Sequence, residues 1–381
     1  MNTETAYWMA LEHEWGCSNA TGNGKVDKMN IVIKFFHEKQ MSIADFFQLS
    51  KEEWKNEFAM TDLQIYNLEK AKSSVPNYAF LAENLQNSGI EVIPVVSADF
   101  SKTLKKNLKT ATPLILYIKG NKQILQEKSI AIVGSRDASD VALQFTDNIA
   151  KRASKDYKVV VSGFAKGVDK QALDSAIAYK GQSIIVLPQG ILTFESGFKT
   201  YYKQILDGDV LVLSTFHPKA GWAKELAMAR NPIIYGLAKE IYAAESKPSK
   251  TRQGTITKGG TYSGVMDGLK RGRTIFVRQP EPTEKNDNLF LIQNGAVAID
   301  FEGNIIPTDQ IEMPKTFAEK IKEILSKGRL TTKEIHDKIK FEKSDAVLKK
   351  ELEKLDFVER KKEKKKNYFC LKGIEEKGLF N

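Results

Sequence analysis

SIAIVGSRDASDVALQFTDNIAKRASKDYKVVVSG, residues 129–163, is the stretch that decides the fold. It opens on a short β-branched run, turns at Gly134, carries a helix-length segment over 139–156, and closes on a second apolar run. The same texture recurs in GIEVIPV (89–95), LILYIKG (114–120), SIIVLPQG (183–190), DVLVLSTF (209–216), EIYAAES (240–246) and RTIFVRQ (273–279). Continuous apolar strands alternating with helices imply a parallel sheet covered on both faces. The expected class is therefore α/β, a Rossmann-like parallel sheet.

Residues 1–85 place apolar side chains at helical spacing, with Ser and Thr-Asp signals suited to helix caps in IADFFQLSKEEWKNEF and TDLQIYNLEKAKSSV. They read as an N-terminal helical domain, SAM/helix-hairpin-helix-like, and the Rossmann-like domain follows over 86–305. FEGNIIPTDQIEMPK (301–315), with two prolines and no periodicity, reads as a linker. Beyond it, TFAEKIKEILSKG, a helix opening on the capping box Thr331 to Glu334, and SDAVLKKELEKLDF give three helices. FVERKKEKKKNYFCL then alternates around a basic turn as a hairpin does, so 316–381 reads as a C-terminal winged helix. Its tract Arg360 to Lys366, with Lys349 and Lys350, suits either a phosphate backbone or a solvated wing on a protein-contact module.

Composition narrows the function. The 381 residues carry 58 basic and 48 acidic side chains, a net charge of +10 that leans toward polyanionic partners. Residues 311–381 hold 20 basic against 14 acidic of these. The two cysteines, Cys17 and Cys370, form neither a disulfide framework nor a zinc site, and the four histidines lack metal-ligand spacing. No metal or cofactor is expected. The N-terminus is not a signal peptide and no apolar run reaches membrane-spanning length, so a cytoplasmic protein without membrane contact is expected.

In an open parallel sheet, ligands sit beyond the carboxyl ends of the strands. Four loops there share a character: Gly134, Ser135 and Arg136; SGFAKGVD (162–169); PQG (188–190); and KGGTYSG (258–264). Glycines let backbone N–H groups approach an anion, Ser135, Ser162 and Thr261 offer hydroxyls, and Arg136 and Lys166 supply charge. The dinucleotide pattern G-x-G-x-x-G and the P-loop pattern are both absent, which argues against NAD and ATP. Asp169 fits a helix N-cap as well as an acid, and Glu245 fits an orienting group. No nucleophile, base and orienting group stand at hydrolytic spacing.

AIVGSRDAS, VVVSGFAKGVDKQALDSAI, IIVLPQGI, ARNPIIYGLAKEIYAAES, GGTYSGVMDGLKRGRTIFV and NLFLIQNGA resemble, in order and spacing, the blocks of the DprA/Smf family of DNA-processing proteins. The resemblance covers roughly 85–300, and the flanking regions match the family layout. It implies an extended Rossmann fold in a non-enzymatic protein that binds single-stranded DNA, forms homodimers and hands the strand to a RecA-type recombinase during natural transformation. It further implies that Gly134, Ser135 and Arg136 grip phosphate, that Ser162, Gly163, Lys166, Gly167 and Asp169 form the second loop, and that Arg230, Asn231, Gly259, Gly260 and Thr261 complete the DNA/phosphate-binding set. The chain departs from the family at Leu173, Pro232 and VRQP (277–280), and over a longer 246–258 loop. That loop carries Lys247, Lys250, Arg252 and Lys258, which either replace lost contacts or stay solvated. Two other readings remain: a phosphoribohydrolase-type enzyme, for which no glutamate stands in the expected place and Asp267 is the nearest acid, and a nucleotide sensor with the winged helix as effector.

Overall fold

The structure is a computed structural model and describes residues 3–15, 24–250, 256–281, 284–311, 317–341, 344–363 and 366–373. The chain divides into two compact units, Met1–Ile311 and Glu312–Asn381. Cys17 and Arg252 lie outside the described residues, as do 364 and 365 of the basic turn and the side chain of Lys250.

The first unit is built on a nine-stranded sheet. Its strands are β1 (Glu91–Pro94), β2 (Ile115–Lys119), β3 (Ser129–Val133), β4 (Val159–Ser162), β5 (Ser183–Val186), β6 (Val210–Ser214) and β7 (Glu240–Ala243), then β10 (Ile275–Arg278) and β11 (Val297–Ile299); a separate two-stranded ribbon, β8 (Ser249–Lys250) and β9 (Ile256–Thr257), intervenes. The spatial order is β1-β2-β6-β5-β4-β3-β7-β10-β11. From β6 to β11 every pairing is parallel, with Ala131 opposite both Val161 and Ile241. Every residue of β3, β4, β5 and β6 is buried, which is why their sequences run apolar without alternation. The sheet departs from the all-parallel expectation at one edge, where β1 pairs antiparallel with β2 and β2 with β6. An apolar run encodes burial and says nothing of strand direction, so this reversal left no mark in the sequence.

Helices α1 (Thr3–Glu14), α2 (Gly24–Val32), α3 (Ile43–Gln48), α4 (Lys51–Phe58) and α5 (Asp62–Asn87) precede the sheet, and a π-helical turn, Ile33–Glu38, continues α2. The run IADFFQLSKEEWKNEF is two helices. Ser50 interrupts it by closing a capping box with Glu53, each satisfying a backbone N–H of the other. These helices share one apolar core with the sheet, running from Trp8, Phe35 and Trp54 to Tyr117, Leu211 and Val265. Around and between the strands lie α6 (Lys102–Leu108), α7 (Asp140–Lys155), α8 (Val168–Ala178), α9 (Glu195–Thr200), α10 (Tyr202–Leu206), α11 (Lys224–Ala229), α12 (Asn231–Leu237), α13 (Gly260–Lys270) and α14 (Asn288–Gln293). A second core, with Phe145, Ile149, Val160 and Ile299, fills the opposite face of the sheet.

His13 on α1 ties the helices to the sheet through a 2.7 Å hydrogen bond between its Nε2 and the Tyr117 hydroxyl. Burial, reinforced by the charges of His217 and Lys28, pulls its pKa down from 6.5 to about 3. The unfolded chain thus binds a proton that the folded chain refuses between those two values. Stability from this group is complete above pH 6.5 and is lost as pH falls toward 3, at up to ~1.4 kcal/mol per unit. Urea titrations from pH 7 to 4 should show this slope in the wild type and a flatter one in His13→Gln; equal slopes would refute the assignment.

The second unit contains α15 (Phe317–Leu325), β12 (Leu330–Thr331), α16 (Thr332–Ile339), α17 (Asp345–Glu353), β13 (Val358–Glu363) and β14 (Lys366–Leu371). The strands form an antiparallel sheet ordered β12-β14-β13 around a core of Ile321, Leu325, Ile335, Leu348, Leu352, Val358 and Phe369. The Thr331 to Glu334 capping box opens α16 as the sequence predicts.

Candidate functional site

The strand order reverses at β3: β4, β5 and β6 step away on one side, β7, β10 and β11 on the other. Loops leaving the carboxyl ends diverge at such a point and leave a crevice. Here the crevice is a cavity of about 430 Å³, lined by Val133, Gly134, Ser135, Arg136 and Asp137 after β3, and by Ala165 and Asp169 after β4. Lys247 and Pro248 after β7, Lys224, Ala227 and Met228 of α11, Arg230, Asn231, Ile234 and Tyr235 entering α12, and Gly259, Gly260 and Thr261 opening α13 complete the wall.

The turn after β3 is held by its own backbone. Ser135 N–H donates to the Glu245 carbonyl at 2.9 Å, and its carbonyl accepts from Val168 N–H at 3.2 Å. The Ser135 hydroxyl accepts from Asp137 N–H at 3.2 Å, so it shapes the turn. Gly167 makes the approach possible: its φ is +85°, and a Cβ there would lie 2.4 Å from the Ser135 carbonyl oxygen and 2.6 Å from that of Arg136. Arg136 is carried outward by this turn, exposed, with no hydrogen-bond or ion-pair partner among the described residues.

Behind the turn sits a buried ion pair, Arg230 Nη2 to Asp169 Oδ2 at 3.4 Å. Arg230 also donates from Nη1 to the Val186 carbonyl at 3.3 Å and from Nε to that of Ala227 at 3.4 Å. Burial raises the Asp169 carboxyl above its usual range, opposed by the Arg230 charge, the Ala165 N–H and Arg136. Asp169 is not the cap of α8, since Gly167 occupies that position; it fixes Arg230 instead. Gly163 provides the space, because a Cβ there would fall 1.2 Å from Arg230 Nη1.

Glu245, buried at the end of β7, joins both sides of the mouth. It accepts from Ser139 N–H at 3.0 Å and from the Ser139 hydroxyl at 2.9 Å, and it pairs with Lys247 at 3.3 Å. Lys247 donates in turn to the Asp137 carbonyl at 2.8 Å. Arg278, the first departure in VRQP, braces this strand end from behind: its Nε donates to the Ala244 carbonyl at 3.2 Å and its Nη1 to Glu284 at 2.8 Å. Asn288 completes the brace by donating to the carbonyls of Ala244 (3.0 Å) and Arg278 (2.8 Å) and accepting from Ser246 N–H at 2.8 Å.

Of the residues singled out from sequence, Gly134, Ser135, Arg136, Asp169, Arg230, Asn231, Gly259, Gly260 and Thr261 meet around one cavity. Ser162 turns inward and donates its hydroxyl to the Ile132 carbonyl at 2.9 Å. Gly163 and Gly167 lie behind the wall, and Lys166 is exposed on the loop between them. Lys258 rests 4.0 Å from the ring centroids of both Tyr262 and Phe290. The sequence reading missed Lys224, exposed six residues before Arg230 in a short helix whose pattern carries no loop signal. Asp267, the acid nearest to where an enzymatic reading needs a glutamate, pairs with Arg271 at 2.8 Å and does not line the cavity. Among the described residues no cluster of His, Cys, Asp and Glu could hold a metal, and no helix is long and apolar enough to cross a membrane.

The cavity can therefore take an anion. It offers two cations that are unpaired among the described residues, Arg136 and Lys224, a third in Lys247, and the amino end of the eleven-residue α13. A family model described as DNA recombination-mediator protein A matches residues 91–308. The chain is 33% identical over 164 residues to DNA processing protein DprA of Streptococcus pneumoniae, covering 43% of this chain and 55% of that protein. It is 25% identical over 319 residues to protein Smf of Synechocystis, covering 80% of this chain and 72% of that one. The crystal structure of the pneumococcal DprA covers 77% of this chain and 94% of its own with a TM-score of 0.60, a likeness of fold at 21% identity.

Proposed function

The chain belongs to the DNA recombination-mediator protein A family, and from that premise we propose that it binds single-stranded DNA by its phosphodiester backbone in the strand-end cavity. One observation carries this reading. Among the described residues, Arg136 and Lys224 have no carboxylate partner, and they stand on a glycine-lined cavity at the point where strand order reverses, beside a helix amino end. Such a site takes phosphate oxygens and ignores base identity, which suits a strand of any sequence. Ser135, Gly134 and Gly167 build the turn, Gly163 makes room for Arg230, Asp169 positions Arg230, and Asn231, Gly259, Gly260 and Thr261 offer polar groups to the bound strand. Lys166 extends the charged rim.

We further propose that the strand is protected and passed to a RecA-type recombinase, that the protein acts as a homodimer without chemical turnover, and that it works in the cytoplasm. The family description as a recombination mediator supports the hand-off. The domain layout proposed is 1–85, 86–305 and 316–381, the last a winged helix.

The test is a salt-titrated binding isotherm with a fluorescent oligonucleotide. Log affinity should fall steeply and linearly with log salt. Arg136→Ala should weaken binding about tenfold and flatten the slope by ~0.7, the value of one phosphate contact on a single strand. Binding that ignores salt, or an Arg136→Ala protein that binds as the wild type does, would sink the proposal.

A further inference from the structure

Helix α6 and the residue that ends it carry lysines at 102, 105, 106 and 109, a spacing that sets four side chains along one helix face. The other face is committed to the core. Leu104 and Leu108 are buried against α12, where a Cβ on Gly236 would come within 2.7 Å of the first and 2.9 Å of the second. Asn107 donates to the Gly236 carbonyl at 2.8 Å and to that of Ala238 at 3.3 Å. The lysine face accordingly turns outward, and among the described residues none of the four has a carboxylate partner. The Lys105 Nζ stands 5.3 Å from the centre of the Phe100 ring; burial and the Lys102 charge hold its ammonium below the usual lysine range. Lys109 sits at φ +53°, ψ −122°, backbone that costs a side-chain-bearing residue and that glycine adopts freely.

Between this stripe and α2 opens a second cavity of about 240 Å³, lined by Val32, Ile33, Val95 and Val96, with Lys105 and Lys109 among its other residues. Ile33 is 39% exposed. This face lies at the far end of β3 from the anion cavity, since the Ser129 hydroxyl at the start of β3 donates to the Leu237 carbonyl at the end of α12, 2.7 Å away. A nucleic-acid backbone would use the lysines and leave the aliphatic cavity empty. An acidic peptide with one large apolar side chain uses both.

We propose that this face docks an acidic segment of a partner protein, its carboxylates along Lys102, Lys105, Lys106 and Lys109 and an apolar anchor seated between Ile33 and Val95. Fluorescence polarisation with a labelled peptide of alternating aspartate and glutamate ending in leucine and phenylalanine tests it on the full-length protein. The wild type should bind saturably. Lys105→Glu with Lys109→Glu should weaken binding at least about tenfold, as should a peptide whose last two residues are glycine. Lys203→Glu, an exposed charge reversal elsewhere, and Arg136→Ala should leave it unchanged. If the reversal loosens the fold in a thermal melt, Lys105→Gln with Lys109→Gln replaces it and should still weaken binding severalfold. Absence of saturable binding by the wild type, indifference to the lysine changes, or equal binding of the glycine-ended peptide would each overturn the proposal. So would a tenfold loss of oligonucleotide affinity in the lysine variant with peptide binding intact, which would make the stripe a nucleic-acid surface.

Discussion

Asp169→Ala should lower the unfolding free energy by about 3–5 kcal/mol, because it strands the Arg230 guanidinium in the interior with no compensating charge. The two side chains are 10% and 4% exposed, so water cannot take over as partner. The Val186 and Ala227 carbonyls still accept from Arg230, which keeps the loss nearer the lower value than an orphaned ion would suffer. Asp169→Asn keeps a polar partner and should fall between. A double variant that also replaces Arg230 by methionine should recover part of the loss, since the cost lies in the unpaired charge rather than in the missing pair. Urea midpoints of the four proteins decide it. A single Asp169→Ala within ~0.5 kcal/mol of wild type would show that the pair does not hold the site.

Gly167→Ala should do comparable damage by a different route and should reach the strand-end cavity directly. A φ of +85° with ψ −130° is strained for any residue with a Cβ. The added carbon would also meet two carbonyl oxygens, at 2.4 and 2.6 Å, that belong to the backbone of the Ser135–Arg136 turn and have no rotamer to change. The turn itself must move, taking Arg136 with it. Expected are a destabilisation of about 2–4 kcal/mol and a loss of oligonucleotide affinity at least as large as that of Arg136→Ala. Gly221→Ala, where a Cβ would meet nothing within 4 Å, is the control and should stay within ~0.5 kcal/mol. If Gly167→Ala matches that control, the contact between the two loops is not what shapes the turn.

The parallel strands were legible because burial on both faces writes itself as unbroken apolar runs. The capping box at Thr331 was legible for a similar reason: it is closed by a residue three positions away. What escaped had no local signature. Asp169 and Arg230 stand 61 residues apart, so the sequence could offer Asp169 as a cap but not as the partner of a buried arginine. Ser162, chosen as a hydroxyl donor to a ligand, is bound to the Ile132 carbonyl of the neighbouring strand. A serine closing a strand has the same letters whether it faces ligand or core. Lys224 reaches the cavity from a short helix that follows β6, and nothing in WAKELAMAR distinguishes a cavity lysine from a solvated one. Arg278 read as a missing turn motif; folded, it is the brace behind β7.

The linkage through Glu245 has a mechanical meaning. One carboxylate holds the first turn of α7 through Ser139 and the rim lysine through Lys247, so the two lips of the cavity are geared together. An occupant that draws Lys247 away leaves the Glu245 carboxylate to Ser139 alone. The start of α7 and the rim of the cavity are therefore held by the same buried side chain.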